Sequence, residues 1–376
     1  MKSNLKSPVA YYAHHMGSGH FVRGGQVLRG LRRPAALLSS YPGRKKHGDR
    51  FDLISLDTDH AHQTDYDQSL SPEPDCLHHA PLNVAGIQNR MASVANWIQW
   101  HRPTLLVSDV SMEMIQFARL CSVPTLGVRL TGPREDTAHR QGFDSCRRVV
   151  FPLPEIFEDP NTSEAVKRKT EYVGGICRHI GKSISKSNAR QKLKLDPIRK
   201  TVVVTNGAYG SGRDADYLVE LAELQSDYDW IVIGKLHGVP AELPENLHIV
   251  GSVPDTYPWL RAADIVVGSC GCNTMLEAAY AERPFVCLPE DRPYAEQRTK
   301  AEVLHRHGLA VVRYETPELS DWSKMLREVE RIDARKFARI ADPESLIRYR
   351  RLIHQIADEW QPRAVRGISL EKSIAV

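Results

Sequence analysis

The sequence contains no long uninterrupted hydrophobic run. No stretch approaches the roughly 18 apolar residues that a membrane-spanning helix needs, and the first residues, MKSNLKSPVAYYAHH, lack the apolar core of a secretion signal. The formal net charge is only +4 over 376 residues, which permits contact with an anionic surface but does not require nucleic acid. We therefore expect a cytoplasmic protein with no nucleic-acid partner and at most peripheral membrane contact.

Cysteine and histidine spacings typical of metal sites are also lacking. Seven cysteines are scattered without a C-x-x-C pair, which favours reduced thiols in a cytosolic protein. Cys270 and Cys272 form a C-x-C sequence that suits a redox or metal pair, but also simply supplies small residues at a helix start. Four histidines, at positions 60, 62, 78 and 79, lie in an aperiodic stretch from Thr58 to Pro81. Their spacing fits no standard metal site, so we expect solvated residues of a long loop.

The length and the pattern of the chain indicate two α/β domains. Hydrophobic residues make up 41% and charged residues 26%, which is ordinary for globular proteins, and 376 residues suffice for two separate cores. Short apolar runs followed by glycine-containing turns and helical patterns recur in both halves, as buried parallel strands require. Proline, glycine and charge through residues 151–200 indicate an interdomain crossing. We expect domains at 1–178 and 179–342, followed by a C-terminal segment, 343–376.

The most informative stretch begins with the apolar run Ile265 to Val267, which predicts a buried strand. Gly268 to Gly271 breaks the run, Thr274 to Ala281 fits a helix, and Phe285 to Leu288 fits the next strand. A glycine turn that opens a helix leaves unpaired N–H groups directed at one spot. This arrangement favours an anion such as phosphate.

Polar side chains follow this turn in an order that suits a nucleotide sugar. Glu277 lies one turn into the predicted helix, where a carboxylate can accept hydrogen bonds from two ribose hydroxyls. Glu296 and Gln297 follow from the loop after the next strand and offer an acceptor and an amide for sugar hydroxyls. Thr274-x-x-Glu277 is also a capping box, which explains the same two residues structurally.

The N-terminal half repeats the strand, glycine loop and helix. Val9 to Ala13 predicts a strand and Arg23 to Leu31 a helix, without the full dinucleotide-binding pattern. His20 suits a general base because its ordinary pKa lies near working pH, or it simply caps or packs at the helix start. Asp109 ends a second predicted strand, where it can orient His20, contact an acceptor or cap the helix near Met112.

Together these motifs resemble two-domain, GT-B-type glycosyltransferases, especially the branch of the peptidoglycan enzyme that adds N-acetylglucosamine to make lipid II. Gly271, Thr274, Glu277, Glu296 and Gln297 match that branch in order, with Glu296-Gln297 where a Gln-Gln pair is usual. The resemblance implies an α/β, GT-B architecture in which two Rossmann-like domains with parallel sheets face a central cleft. The final helix, near 343–360, is similar to the family's segment that crosses back to the first domain. Before it, Leu319 to Ala338 has a charged pattern that predicts a helix.

The resemblance also implies roles for further residues. The acceptor-side loop is Gly17, Ser18 and Gly19, followed by His20 as the base, and two facing domains would bring His20 and Asp109 opposite the donor site. A second glycine loop, with Ala208 at a position that is usually serine, contacts the donor diphosphate, and backbone groups near Val253 grip the base. The implied donor-binding residues are Gly207, Gly210, Ser211, Val253, Gly271, Asn273, Thr274, Glu277, Glu296 and Gln297.

The function implied by this resemblance is inverting, metal-independent transfer of a hexose-type sugar. The donor is a UDP-linked sugar, used as a co-substrate with no other cofactor, and the acceptor is a hydroxyl or amine on a small or lipid-linked molecule. The segment Gly19 to Arg23 also resembles a nucleotide-sugar hydrolase of the pseudaminic acid pathway, which has the same fold and uses water as acceptor. A non-catalytic partner subunit that keeps the fold is a third alternative.

Overall fold

A computed structural model describes residues 6–16, 18–60, 73–206 and 214–361. Within these residues the first domain has a seven-stranded sheet of order β3-β2-β1-β4-β5-β6-β7, in which every pairing is parallel. Its strands are β1 (Val9–Ala13), β2 (Ala35–Ser39), β3 (Asp52–Ser55), β4 (Leu105–Asp109), β5 (Thr125–Val128), β6 (Arg148–Phe151) and β7 (Thr170–Tyr172).

Both faces of the first sheet are covered by helices, as a parallel sheet requires. Alternate residues of β1 enter different cores: Tyr11 packs with the C-terminal helix, whereas Tyr12 packs with the helices that flank β4. The helices of this domain are α1 (Gly19–Arg29), α2 (Ala85–His101), α3 (Met112–Leu120), α4 (Thr137–Ser145) and α5 (Glu164–Lys169).

The second domain contains a parallel sheet that has six strands in the described residues, in the order β10-β9-β8-β11-β12-β13. Its strands are β8 (Lys200–Thr205), β9 (Tyr228–Ile233), β10 (Leu247–Gly251), β11 (Ile265–Gly268), β12 (Phe285–Cys287) and β13 (Val311–Val312). The helices from the crossing onward are α6 (Lys186–Leu193), α7 (Ala215–Leu224), α8 (Tyr257–Ala262), α9 (Cys272–Tyr280), α10 (Glu296–Arg306), α11 (Trp322–Val329), α12 (Ala334–Ala338) and α13 (Ser345–Glu359).

The crossing between the sheets spans residues 173–199, and the expected boundary at 178 falls inside it. The chain then returns: α13 packs in the core of the first domain, where Tyr349 and Ile353 are fully buried beside residues of β1 and β4. In the parts of the chain that the structure describes, no helix combines the length and the apolar character needed to cross a bilayer.

Three local predictions need correction. The helix predicted over Leu319 to Ala338 is broken, because Asp333 begins a new helix by accepting hydrogen bonds from two backbone N–H groups. The capping box is wrong: the N-cap of α9 is Gly271, which places Thr274 inside the helix rather than before it. Asp109 is not the cap of α3 either, since Ser111 takes that place and accepts from the N–H of Met114.

In each sheet the strand order reverses once, between β1 and β4 in the first sheet and between β8 and β11 in the second. At such a point the loops leave neighbouring strands in opposite directions and open a crevice at the carboxyl ends. The first crevice receives the loop after β1 and the end of β4, and the second receives the end of β8 and the loop after β11. The candidate site lies where the two crevices meet.

Candidate active site

A continuous cleft runs between the two domains. It consists of a cavity of about 240 Å³, which contains His20 and Glu296, and a cavity of about 270 Å³, which contains Glu277 and Val253. The two cavities share three lining residues, Ser18, Asn273 and Thr274. Residues from the acceptor-side loop and from the start of α9 therefore line the same space.

His20 and Asp109 form a hydrogen-bonded pair at the first-domain wall of this cleft. Nδ1 of His20 lies 2.9 Å from Oδ1 of Asp109, whose side chain is fully buried, while 17% of the His20 side chain is exposed. A carboxylate only accepts hydrogen bonds, so Nδ1 of His20 carries the proton. Nε2 of His20 is then the basic nitrogen.

Asp109 is the centre of a larger network. Its Oδ2 accepts from the Tyr11 hydroxyl at 2.7 Å and from Nε of Arg23 at 2.8 Å, and its Oδ1 also accepts from Nη2 of Arg23 at 2.5 Å. Burial acts to raise the pKa of Asp109, but the positive charge of Arg23 and the bond to His20 hold that pKa well below its usual range. The carboxylate is therefore ionised and fixed in orientation.

On the opposite wall the start of α9 faces the acceptor-side loop. Gly271 is the N-cap, no side chain caps the first turn, and the first N–H groups of a helix have no partner within it. A Cβ built on Gly19 would lie 3.3 Å from Nδ2 of Asn273. The two glycine-containing segments thus approach each other closely across the cleft, at a place suited to a negative group.

Glu277 lines the second cavity but is already held by neighbours. Nε of Arg178 lies 2.6 Å from its Oε1, and Nη2 of Arg178 and the Thr256 hydroxyl donate to its Oε2 at 3.0 and 2.7 Å. Only 6% of the residue is exposed. Burial acts to raise the pKa of Glu277, but His179, Arg178 and Thr256 lower it below its ordinary value. Glu277 is thus a nearly buried carboxylate at the edge of the cavity.

Glu296 and Gln297 lie at the other end of the cleft, each with partners in the second domain. Lys300, whose side chain is fully buried, donates to Oε1 of Glu296 at 2.6 Å. Burial acts to raise the pKa of Glu296, but the Lys300 ammonium lowers it to about 2. The Gln297 side chain accepts from the backbone N–H of Glu290 at 2.9 Å and donates to the Glu290 carboxylate at 3.4 Å.

The loop that leads into α10 is fastened to the first domain. We call this contact, formed by residues 131–139 with residues 293–296, the interdomain clasp. The Thr131 hydroxyl donates to the carbonyl of Glu296 at 3.0 Å. The Tyr294 ring stands edge-on to His139 at 5.0 Å and lies under the Arg134 guanidinium at 4.7 Å. The position of the loop beside the first cavity therefore depends on both domains.

Among the described residues, two clusters have side-chain atoms close enough together to hold a metal ion, His14-His15-Asp59 and His78-Asp136-His139. In the second cluster these atoms take part in hydrogen bonds. Both His78 and His139 bond Asp136, at 2.9 and 2.6 Å. Nη1 of Arg134 lies 3.1 Å from Nε2 of His139, which requires the proton on the nitrogen that faces Asp136. His78 is thus fixed in a hydrogen-bond network, contrary to the expectation of a solvated loop residue. His60 and His79 are exposed, although Nε2 of His79 also lies 3.0 Å from the carbonyl oxygen of Asp59, and His62 lies outside the described residues.

The structure brings most of the predicted site residues to one cleft. Those that line it are Ser18, Gly19, His20, Val253, Gly271, Asn273, Thr274, Glu277, Glu296 and Gln297. Asp109 lies behind His20, and the predicted residues Gly17, Gly207, Gly210 and Ser211 lie outside the described residues. Sequence reasoning missed Arg23, Arg178 and Lys300. Arg23 was within reach, because it is three residues from His20 and so on the same helix face.

Two parallel α/β domains that face a cleft define the GT-B fold, and the comparison with solved structures confirms it. The chain superposes on a glycotransferase of kitacinnamycin with a TM-score of 0.66 and 14% identity, covering 93% of this chain and 99% of that one. No family model matches the sequence.

Curated relatives agree with the fold. An uncharacterized glycosyltransferase of Methanosarcina mazei is 25% identical over 225 residues, covering 57% of this chain and 55% of that protein. A UDP-N-acetylglucosamine–N-acetylmuramyl-(pentapeptide) pyrophosphoryl-undecaprenol N-acetylglucosamine transferase of Corynebacterium diphtheriae is 28% identical over 136 residues, covering 35% of this chain and 38% of that protein. The chain spans about half the length, or less, of these relatives. It is a GT-B-fold protein related to proteins named glycosyltransferases, as the sequence motifs indicated.

Proposed function

We propose that this protein transfers a sugar from a nucleoside diphosphate sugar to a hydroxyl or amine acceptor. The observation that carries the proposal is the single cleft with the His20–Asp109 pair on one wall and the uncapped start of α9 on the other. A base for the acceptor and a site for the leaving diphosphate are the two elements that such a transfer needs.

In the proposed reaction, Nε2 of His20 takes the proton of the acceptor while the acceptor oxygen or nitrogen attacks the anomeric carbon of the sugar. The bond from that carbon to the diphosphate breaks, and the nucleoside diphosphate leaves with the electron pair. Asp109 holds the imidazole and stabilises its charged form. A single displacement of this kind inverts the configuration at the anomeric carbon.

The start of α9 gives the leaving diphosphate its electrostatic stabilisation. Unpaired N–H groups and the positive end of the helix dipole act on a negative group without needing to reorganise. We therefore propose a reaction that requires neither a metal nor another cofactor.

We place the nucleoside in the cavity lined by Val253 and Glu277, and the sugar beside Glu296 and Gln297. A UDP-linked hexose is the proposed donor, because the Corynebacterium diphtheriae relative is named for UDP-N-acetylglucosamine. The proposed acceptor is a small or lipid-linked molecule. Seven free cysteines fit a reducing, cytoplasmic setting. The names of the relatives favour transfer over hydrolysis with water as acceptor.

Calorimetry with UDP, TDP, GDP and ADP tests the donor part of the proposal. One nucleoside diphosphate should bind, and Glu277→Ala should weaken that binding. If none of the four nucleotides binds, the transferase proposal is refuted.

His20→Ala tests the catalytic part. Turnover of the best donor should fall by roughly 10²-fold or more, the usual contribution of a general base, while the dissociation constant of the nucleoside diphosphate stays within about twofold. The nucleotide measurement is the control for correct folding. Unchanged turnover in this variant would exclude His20 as the base.

A further inference from the structure

We propose that Arg23 is a positioning residue that fixes the His20–Asp109 pair and leaves Nε2 of His20 free to accept a proton. This role deepens the proposed function, in which His20 is the base. No sequence motif assigned it, and it follows from three contacts within one buried network.

The geometry places Arg23 against both members of the pair. It follows His20 by three residues in α1, so both side chains leave the same face of the helix. Its Nε and Nη2 donate to the two different oxygens of Asp109, at 2.8 and 2.5 Å, in a bidentate arrangement. Only 12% of the Arg23 side chain is exposed.

The same guanidinium lies beside the histidine ring. Nη2 of Arg23 is 3.1 Å from Nδ1 of His20. An arginine only donates, and Nδ1 already uses its proton for Asp109, so this contact brings two donors together rather than forming a hydrogen bond. Neutral His20 tolerates the contact, but a protonated ring would place two positive charges next to each other.

Arg23 therefore opposes the effect that Asp109 alone would have. A lone buried carboxylate beside an imidazole strongly favours the charged ring, which then has no free lone pair to accept a proton. The Arg23 charge balances the carboxylate, so Arg23, Asp109 and a neutral His20 together carry no net charge. This balance favours the neutral ring that a base requires.

Other groups around the ring do not replace this charge. The His14 ring lies 6.3 Å away, and burial lowers the pKa of His14 to about 4, so that ring is neutral near pH 7. Glu296, from α10, acts on His20 with negative charge but is paired with Lys300. The Tyr11 hydroxyl donates to Asp109 from β1, and Tyr349 of α13 packs in the same core; burial raises the pKa of each, so both stay neutral. Burial also raises the pKa of the Cys272 thiol, which acts on Arg23 from α9, so this thiol adds no charge near pH 7. Arg23 is the positive group in contact with the pair in the described residues.

The test measures the titration of the His20 ring by NMR in the 376-residue chain, with His20→Ala used to assign the signal. Arg23→Gln should raise the midpoint of that titration by about 1 pH unit or more, whereas Asp109→Asn should lower it. Arg23→Lys, which keeps the charge, should restore most of the wild-type midpoint. A wild-type midpoint in Arg23→Gln would overturn the proposal, since lost packing alone does not produce opposite shifts in two variants.

Activity gives the second readout. In Arg23→Gln the acid side of the pH profile of kcat/KM should move to higher pH, and kcat should fall while the donor KM changes little. Superimposable pH profiles would overturn the role of Arg23 in the reaction. If the wild-type protein bound no nucleoside diphosphate, the transferase proposal would fail by itself, and the NMR titration would still decide whether Arg23 controls His20.

Discussion

Gly132→Ala should separate the two walls of the cleft without damaging either domain. Gly132 has φ +92°, and an added Cβ would lie 2.0 Å from the carbonyl oxygen of Tyr294, a backbone atom of the other domain. To relieve the clash, the turn at Gly132 and the loop before α10 must move apart by about 1 Å, and a displacement of that size beside the reacting groups can cost about 10²-fold in rate. We expect kcat/KM to fall by about that factor.

Gly181→Ala is the matched control. Gly181 has nearly the same backbone, φ +89°, but nothing lies within 4 Å of its added Cβ. Both variants carry the left-handed backbone penalty of about 1–2 kcal/mol, which thermal unfolding will show as similar losses. Only Gly132→Ala should speed hydrogen–deuterium exchange in residues 290–297 and lower turnover. Equal kinetics and equal exchange in the two variants would refute the idea that the clasp positions this loop.

Two further predictions concern stability. Gly24→Ala should lower the free energy of unfolding by about 1–3 kcal/mol through overpacking, because the added Cβ would lie 2.8–2.9 Å from side chains of β1 and β2. In Gly25→Ala the nearest neighbours of the added Cβ lie at 3.9 Å, so this variant should be neutral or gain up to about 1 kcal/mol from helix propensity. Thermal unfolding of the two variants measures the difference. The pKa of Glu296 is depressed to about 2 in the folded protein from an ordinary 4.5, so its contribution to stability is present above pH 4.5 and is lost as the pH falls to 2. Unfolding titrations should therefore show a weaker acid dependence in that window for Glu296→Gln, and identical dependence in both proteins would contradict the assigned pairing with Lys300.

The strands of both sheets were predictable where apolar, β-branched runs end at a glycine or a polar residue. Val9–Ala13 and the run at Ile265 are examples, and both were found where the pattern placed them. The strand β2, Ala35–Ser39, was missed because AALLS has no β-branched residue and reads equally well as helix. The break after Val329 was missed because the capping function of Asp333 depends on the local backbone turn.

The site was predictable to the extent that its residues follow strands. His20, Asp109 and the start of α9 lie at carboxyl ends of parallel strands, and such ends meet at one edge of a sheet. The partners of the predicted carboxylates were not predictable in the same way. Arg178 contacts Glu277 from 99 residues away, across the crossing segment, and local spacing in the sequence contains no information about that approach. Long-range ion pairs of this kind are a property of how the two domains are joined.

The interdomain clasp affects one end of the proposed donor site more than the other. The nucleoside end is built almost entirely from the second domain and the crossing, through Val253, Glu277 and Arg178. The sugar end includes Glu296, whose carbonyl is held by Thr131 of the first domain and whose carboxylate is held by Lys300 of the second. Under the proposed function, binding of the sugar should therefore depend on the contact between the domains more than binding of the nucleotide does. A contact of this kind beside the sugar also limits the access of water to the anomeric carbon. It would thus favour attack by a bound acceptor over attack by water, which is a physical reason to propose transfer rather than hydrolysis.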